Sequence, residues 1–181
     1  MSKPEFVYVT YIETTPEQLW QALTSSEFSR RYWFNTELQS DFKVGSPFAL
    51  VMNGTTTDVG EILEADPPRR LSYTFHHVLD DEMRKEPPTK VVFTLEPYGP
   101  VVKLTLTHEN FAAGGKLLDG ISRGWPAILA SLKSLLEKGT ALAIPDRRAR
   151  HRGNAMNINH FKPAIVYTIS SHLRRSRCGR R

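Results

Sequence analysis

From Phe6 to Glu109, hydrophobic and polar positions mostly alternate with the period-two pattern of half-buried strands. Phe6-Val7-Tyr8-Val9-Thr10-Tyr11-Ile12 opens the series, rich in β-branched and aromatic residues. The alternation then breaks. Thr15 fits a helix N-cap, Pro16 the first helical position and Gln18 the third, the weaker form of a capping box. Leu19, Trp20 and Leu23 fall on one face of that helix. A second short helix, about Ser26–Tyr32, begins with another serine cap and ends at Trp33-Phe34. Period two then resumes at Phe48–Met52. Asn53-Gly54 is a two-residue hairpin signal, because both central positions of such a turn need positive φ. Val59–Ala65 pairs back, Asp66-Pro67-Pro68 turns the chain, and Leu71, Tyr73, Phe75 and His77 share one face of the next strand. Asp80–Pro88 reads as a charged loop. Val91, Phe93 and Leu95 alternate with Val92, Thr94 and Glu96, and Val102, Leu104, Leu106 and His108 alternate with Lys103, Thr105 and Thr107 after the Tyr98-Gly99-Pro100 turn.

The last element has the helical period. Ile121, Trp125, Ile128, Leu129, Leu132, Leu135 and Leu136 make a continuous apolar stripe, and Gly139 stands at the C′ position. Pro126 forces a choice: the helix starts near Ser122–Gly124, or it bends at the proline. A sheet with one apolar face must be covered, and only this helix is long enough to cover it. The expectation is an α+β domain in which about six to seven antiparallel strands curve around one C-terminal helix, with two short helices after the first strand.

Charge divides the chain. The formal net of +5 hides an asymmetry: ten of 24 Lys and Arg, but one of 19 Asp and Glu, lie in 146–181. Residues 1–145 hold 14 basic against 18 acidic residues, so the basic pI near 9.4 describes the last segment, not the domain. A domain of 1–145 and a basic tail of 146–181, expected to be disordered, follow. A nucleic-acid function is disfavoured; the tail would bind nucleic acid non-specifically at most. The apolar and charged fractions, 40% and 24%, are those of an ordinary soluble protein. No run reaches the ~18 apolar residues of a membrane span, and the N-terminus shows no signal core, so a cytoplasmic protein is expected. The single cysteine, Cys178, excludes an internal disulfide and a Cys-based zinc site.

Several short motifs, in this order and spacing, resemble a known family. Thr14-Thr15-Pro16-Glu17-Gln18-Leu19-Trp20-Gln21-Ala22-Leu23-Thr24 is similar to the opening helix of the START-like, helix-grip (SRPBCC) superfamily. Tyr32-Trp33-Phe34, Gly60-Glu61-Ile62, Asp66–Tyr73, Leu106–Phe111 and Gly124–Leu129 resemble the branch named for the activator of a heat-shock-protein ATPase. The resemblance covers about residues 5–140. It implies a helix-grip fold with a cavity between long helix and sheet, whose members bind apolar small molecules or act as cyclases. The co-chaperone that gives the branch its name carries a further N-terminal domain, and nothing here precedes the first strand, so a chaperone partner is the lesser expectation. The resemblance supplies no catalytic residues.

The candidate site is therefore the inward face: Phe48, Tyr73, Phe75, His77, Phe93, Leu95, Leu104, Leu106, His108, Trp125, Ile128, Leu129 and Leu132. Any one of these could equally be packed core. Together, bulky residues on a bent sheet leave room for an aromatic-lined pocket. Tyr73, His77 and His108 are the polar groups on that face, and a buried polar group needs a partner, internal or ligand. His108-Glu109 and His76-His77 fail as pairs at one site, because neighbours on a strand point to opposite faces. Asp80-Asp81-Glu82 lacks the spacing of a metal loop. No metal or cofactor is expected, and no phosphate loop, nucleophile elbow or dinucleotide fingerprint occurs.

The function expected is binding of an apolar or amphipathic small molecule, lipid- or polyketide-like, in the internal cavity. The alternatives are a cyclase or dehydratase using Tyr73 or His108, and a co-chaperone or protein-binding accessory domain. One further pattern lies in the tail. Lys162-Pro163-Ala164-Ile165-Val166-Tyr167-Thr168-Ile169 echoes Lys3–Thr10, with Lys, Pro, Val and Tyr at the same offsets, as the start of an uncompleted second copy would.

Overall fold

A computed structural model describes residues 4–144. The tail and its echo of the first strand lie outside the described residues. Seven strands form one antiparallel sheet in the order β1-β7-β6-β5-β4-β3-β2: β1 (Phe6–Ile12), β2 (Thr36–Gln39), β3 (Pro47–Met52), β4 (Thr55–Asp66), β5 (Arg70–His77), β6 (Thr89–Tyr98) and β7 (Val101–Glu109). Helices α1 (Pro16–Thr24) and α2 (Ser26–Tyr32) follow β1, and α3 (Leu117–Lys138) closes the fold. The sheet curls into a half-barrel around α3. This is the expected α+β helix-grip arrangement. Among the described residues no helix is long and apolar enough to cross a membrane.

Local chemistry accounts for the element ends. Thr15 Oγ1 accepts the Gln18 N–H at 3.2 Å, with Pro16 in the first position of α1. Ser25 caps α2 in the same way. Asn53 and Gly54 take φ of 50° and 78°, the left-handed pair the hairpin needs. Gly139, at φ 73°, donates its N–H to Leu135 O and ends α3.

Three features were not legible in the pattern. Strand β2 lies where the pattern reads as the loop after α2, because it is only four residues long and Phe34 and Asn35 turn the chain with left-handed φ of 48° and 57° before it. It is held from below: the fully buried Ser29 Oγ of α2 donates to Thr36 O at 2.8 Å and accepts from Leu38 N at 3.2 Å. Strand β4 starts at Thr55 rather than Val59, which brings Asp58 into the sheet opposite His77. Finally, α3 runs through Pro126 from Leu117, so the proline lies well inside the helix.

The helix begins so early because its N-terminus is capped from elsewhere. Lys116 makes no side-chain cap. Instead Glu86, in the β5–β6 loop, accepts from Lys116 N at 2.6 Å and Leu117 N at 3.3 Å through Oε1. A carboxylate at the positive end of the helix dipole is favourable there. Gly115 permits the approach, since a Cβ on it would stand 2.4 Å from Glu86 Oε2.

The sheet bends at β4. Registers shift between Leu50 and Val51 against β4 and between Ile62 and Glu64 against β5. At the bend Gly60 lies against β5 so closely that a Cβ would fall 1.8 Å from Thr74 O. The core sits between the concave face and α3, with Leu71, Val91, Leu104, Leu106 and Leu132 among its fully buried members.

Candidate ligand-binding cavity

A cavity of about 410 Å³ separates the N-terminal half of α3 from the β2–β5 half of the sheet. The size falls within the range typical of small-molecule sites, roughly 300–1,000 Å³. From α3 come Leu117, Gly120, Ile121, Gly124, Trp125 and Ile128; from the opposite wall Trp33, Thr36, Leu50, Met52, Thr57, Asp58, Phe75 and His77. Leu79, Asp80 and Met83 of the β5–β6 loop stand at the rim. That loop is secured at both ends. Asp80 Oδ1 accepts from Glu82 N and Met83 N at 3.0 Å each, bonds of which the one from Met83 chiefly holds its carboxyl below the usual range. Glu86 then ties the loop to α3.

The helix leaves room for this cavity by what it lacks. Gly120 and Gly124 are one turn apart, both line the cavity, and a Cβ on either would meet nothing within 4 Å. Glycine inside a helix costs about 0.5–1 kcal/mol relative to alanine, so two at successive turns weaken α3 without any close packing that requires them.

Of the residues expected on the inward face, Phe75, His77, Trp125 and Ile128 line the cavity. Phe48, Tyr73, Phe93, Leu95, Leu104, Leu106, His108, Leu129 and Leu132 are buried in the packed core beside it. Trp125 stands at the boundary: it lines the cavity, and its ring lies edge-on to buried Phe93 with centroids 5.7 Å apart and 5.1 Å from Trp33.

The three polar candidates separate sharply. His108 is fully buried and tied on both nitrogens. Nδ1 accepts from Trp125 Nε1 at 3.1 Å, so the proton is on Nε2, which meets Thr89 Oγ1 at 2.7 Å; that hydroxyl in turn donates to Phe75 O at 2.9 Å. Desolvation pushes its pKa down to about 3, which keeps the ring neutral. Tyr73 is stacked on Phe48 at 4.1 Å, and its hydroxyl has no partner among the described residues. Burial, then the nearby Tyr32 and Asp58, push its pKa well up.

His77 differs from both. Its Nδ1 lies 2.7 Å from Asp58 Oδ1, and both side chains are nearly buried at 9% and 8% exposure. Nδ1 is the ring nitrogen that this bond engages, and the ring stands on the cavity wall. Thr36, 1% exposed on the same cavity wall, carries an unpartnered Oγ1. Asp58, Thr36, Gly120 and Gly124 were not anticipated as site residues. The two glycines at helical spacing were a readable signal; Asp58 and Thr36 were not, because the strand segments that carry them were themselves missed. Among the described residues no group of three or more His, Cys, Asp or Glu is placed to hold a metal ion.

Residues 13–137 match the model of the family described as Activator of Hsp90 ATPase homolog 1-like protein. Among solved structures, the chain is similar to the Aha1 dimer of Colwellia psychrerythraea, at 21% identity and a TM-score of 0.62 over 75% of this chain and 97% of that one. An HSP90 activator from Plasmodium falciparum gives 22% and 0.63 over 74% and 96%. CalU16 from Micromonospora echinospora gives 22% and 0.60 over 75% and 77%. At these identities the structural likeness speaks to the fold. Among curated proteins none matches.

Proposed function

The chain belongs to the Activator of Hsp90 ATPase homolog 1-like protein family, and from that premise we propose that its helix-grip domain binds an apolar or amphipathic small molecule in the cavity between α3 and the sheet. The observation that carries the proposal is the cavity itself: about 410 Å³, walled by Trp33, Leu50, Phe75, Trp125 and Ile128, and kept open by two helix glycines that nothing else in the packing requires. Evolution toward stability alone would place alanine at both positions.

Native mass spectrometry of the protein purified from its own host tests the proposal, alongside thermal shifts across a panel of lipid- and polyketide-like compounds. A ligand present at 100 times its Kd adds about 2.7 kcal/mol of stability, a rise of roughly 5–10 °C in Tm for a domain of this size. Gly124→Leu, whose side chain grows into the open space, should fold and lose the retained compound. An empty cavity with no shift across the panel would sink the proposal. A specific chaperone complex that persists in the Gly124→Leu protein would favour the accessory-domain role instead.

A further inference from the structure

We infer that the His77–Asp58 pair is the proton-accepting end of this cavity, and that the molecule it holds carries a weakly acidic hydroxyl, a phenol or an enol, that donates to His77 Nε2. The inference rests on the cavity proposal above and names the ligand's polar group.

Asp58 and His77 are direct partners across β4 and β5, so both project from the concave face side by side. An ionised carboxylate can only accept, so the proton between them belongs to Nδ1. With the ring carrying that proton alone, Nε2 presents a lone pair, and the adjacent carboxylate strengthens it as an acceptor. With Nδ1 held by Asp58, Nε2 is the ring nitrogen left to bond whatever fills the cavity, water or ligand. His108 shows what this sheet does with a histidine meant only for packing: both of its nitrogens are bonded within the protein. His77 has the second nitrogen left over, on a wall of the cavity.

The remaining lining narrows the ligand class. Asp58 and Asp80 both border the cavity and no Lys or Arg does, which disfavours a carboxylate or phosphate. The rest of the wall is apolar apart from Thr36 and Thr57, and Thr57 Oγ1 already donates to Leu50 O at 3.4 Å. The ligand is therefore neutral and mostly apolar, with an O–H donor at the His77 end.

Fluorescence titration with 2-naphthol, naphthalene and 2-naphthoate tests this on the full chain. Naphthol should bind about tenfold tighter than naphthalene, the factor that a hydrogen bond to a carboxylate-backed acceptor supplies, and naphthoate should bind weakest. The double variant Asp58→Leu/His77→Leu removes both partners together and leaves no unpaired buried charge. It should lose the preference for naphthol over naphthalene, whatever its affinity for naphthalene. Asp58→Asn, which allows the imidazole proton to move to Nε2, should weaken naphthol selectively and serves if the double variant fails to fold. Equal binding of naphthol and naphthalene, or a preference that survives these substitutions, would overturn the inference and leave cavity binding standing. Failure of every probe to bind the unaltered protein would count against the cavity proposal itself.

Discussion

His108 makes the fold sensitive to acid, and the size of the effect can be worked out. Buried at its site, the imidazole titrates at about 3, against 6.5 for a free histidine. The unfolded chain therefore takes up a proton below pH 6.5 that the folded chain refuses until about pH 3. Stability is intact above 6.5, falls as pH drops through that window, and levels off below the folded value. Between pH 7 and pH 5 the linkage amounts to about 2 kcal/mol at 1.36 kcal/mol per pH unit. His108→Gln is the matched control. It keeps one acceptor for Trp125 Nε1 and one donor for Thr89 Oγ1, but it cannot titrate. Urea unfolding followed by tryptophan fluorescence at pH 7 and pH 5 gives the change for each protein. The unaltered chain should lose about 2 kcal/mol more than the variant over that interval, because every other titrating group is common to both. If the two pH dependences agree within about 0.5 kcal/mol, His108 is not held neutral by burial, and the bonding scheme drawn from Trp125 to Phe75 is wrong.

Other substitutions probe the bend, the cavity and the loop. Gly60→Ala would set a Cβ 1.8 Å from Thr74 O, a backbone atom that cannot step aside, and should destabilise by more than about 3 kcal/mol in urea unfolding. Gly124→Ala meets open space and should raise stability by about 0.5–1 kcal/mol through helix propensity; a loss would mean the position is packed after all. Glu86→Ala uncovers the first N–H groups of α3 and should cost about 1 kcal/mol. Amide exchange should rise first at Lys116 and Leu117, and unchanged protection there would show that the cap is not needed.

Local chemistry was read correctly wherever one short segment carried all of it. The caps at Thr15 and Ser25, the Asn53-Gly54 turn and the Gly139 terminus each depend on residues within one turn of each other, so their patterns reveal them. Strand β2 and the true start of α3 failed for the opposite reason. Ser29 pins the first and Glu86 caps the second, and both partners come from other elements. The Pro126 problem could not be resolved from helix propensity alone, because packing of Trp125, Leu129 and Leu132 against the sheet outweighs one missing N–H.

Periodicity and turn residues act over a few positions, so the sequence alone reveals the order of the elements other than β2, the faces that turn inward and the helix-grip class. It could not distinguish His77 from His108. Both end an alternating run on the inward face, and nothing nearby in the chain separates them. Tertiary structure decided. His108 meets Trp125 of α3 and Thr89 of β6, which occupy both its nitrogens, while His77 meets Asp58 of β4 and retains one nitrogen at the cavity. Burial and hydrogen-bond partners are set by contacts between distant segments, and these make one histidine part of the core and the other part of a site.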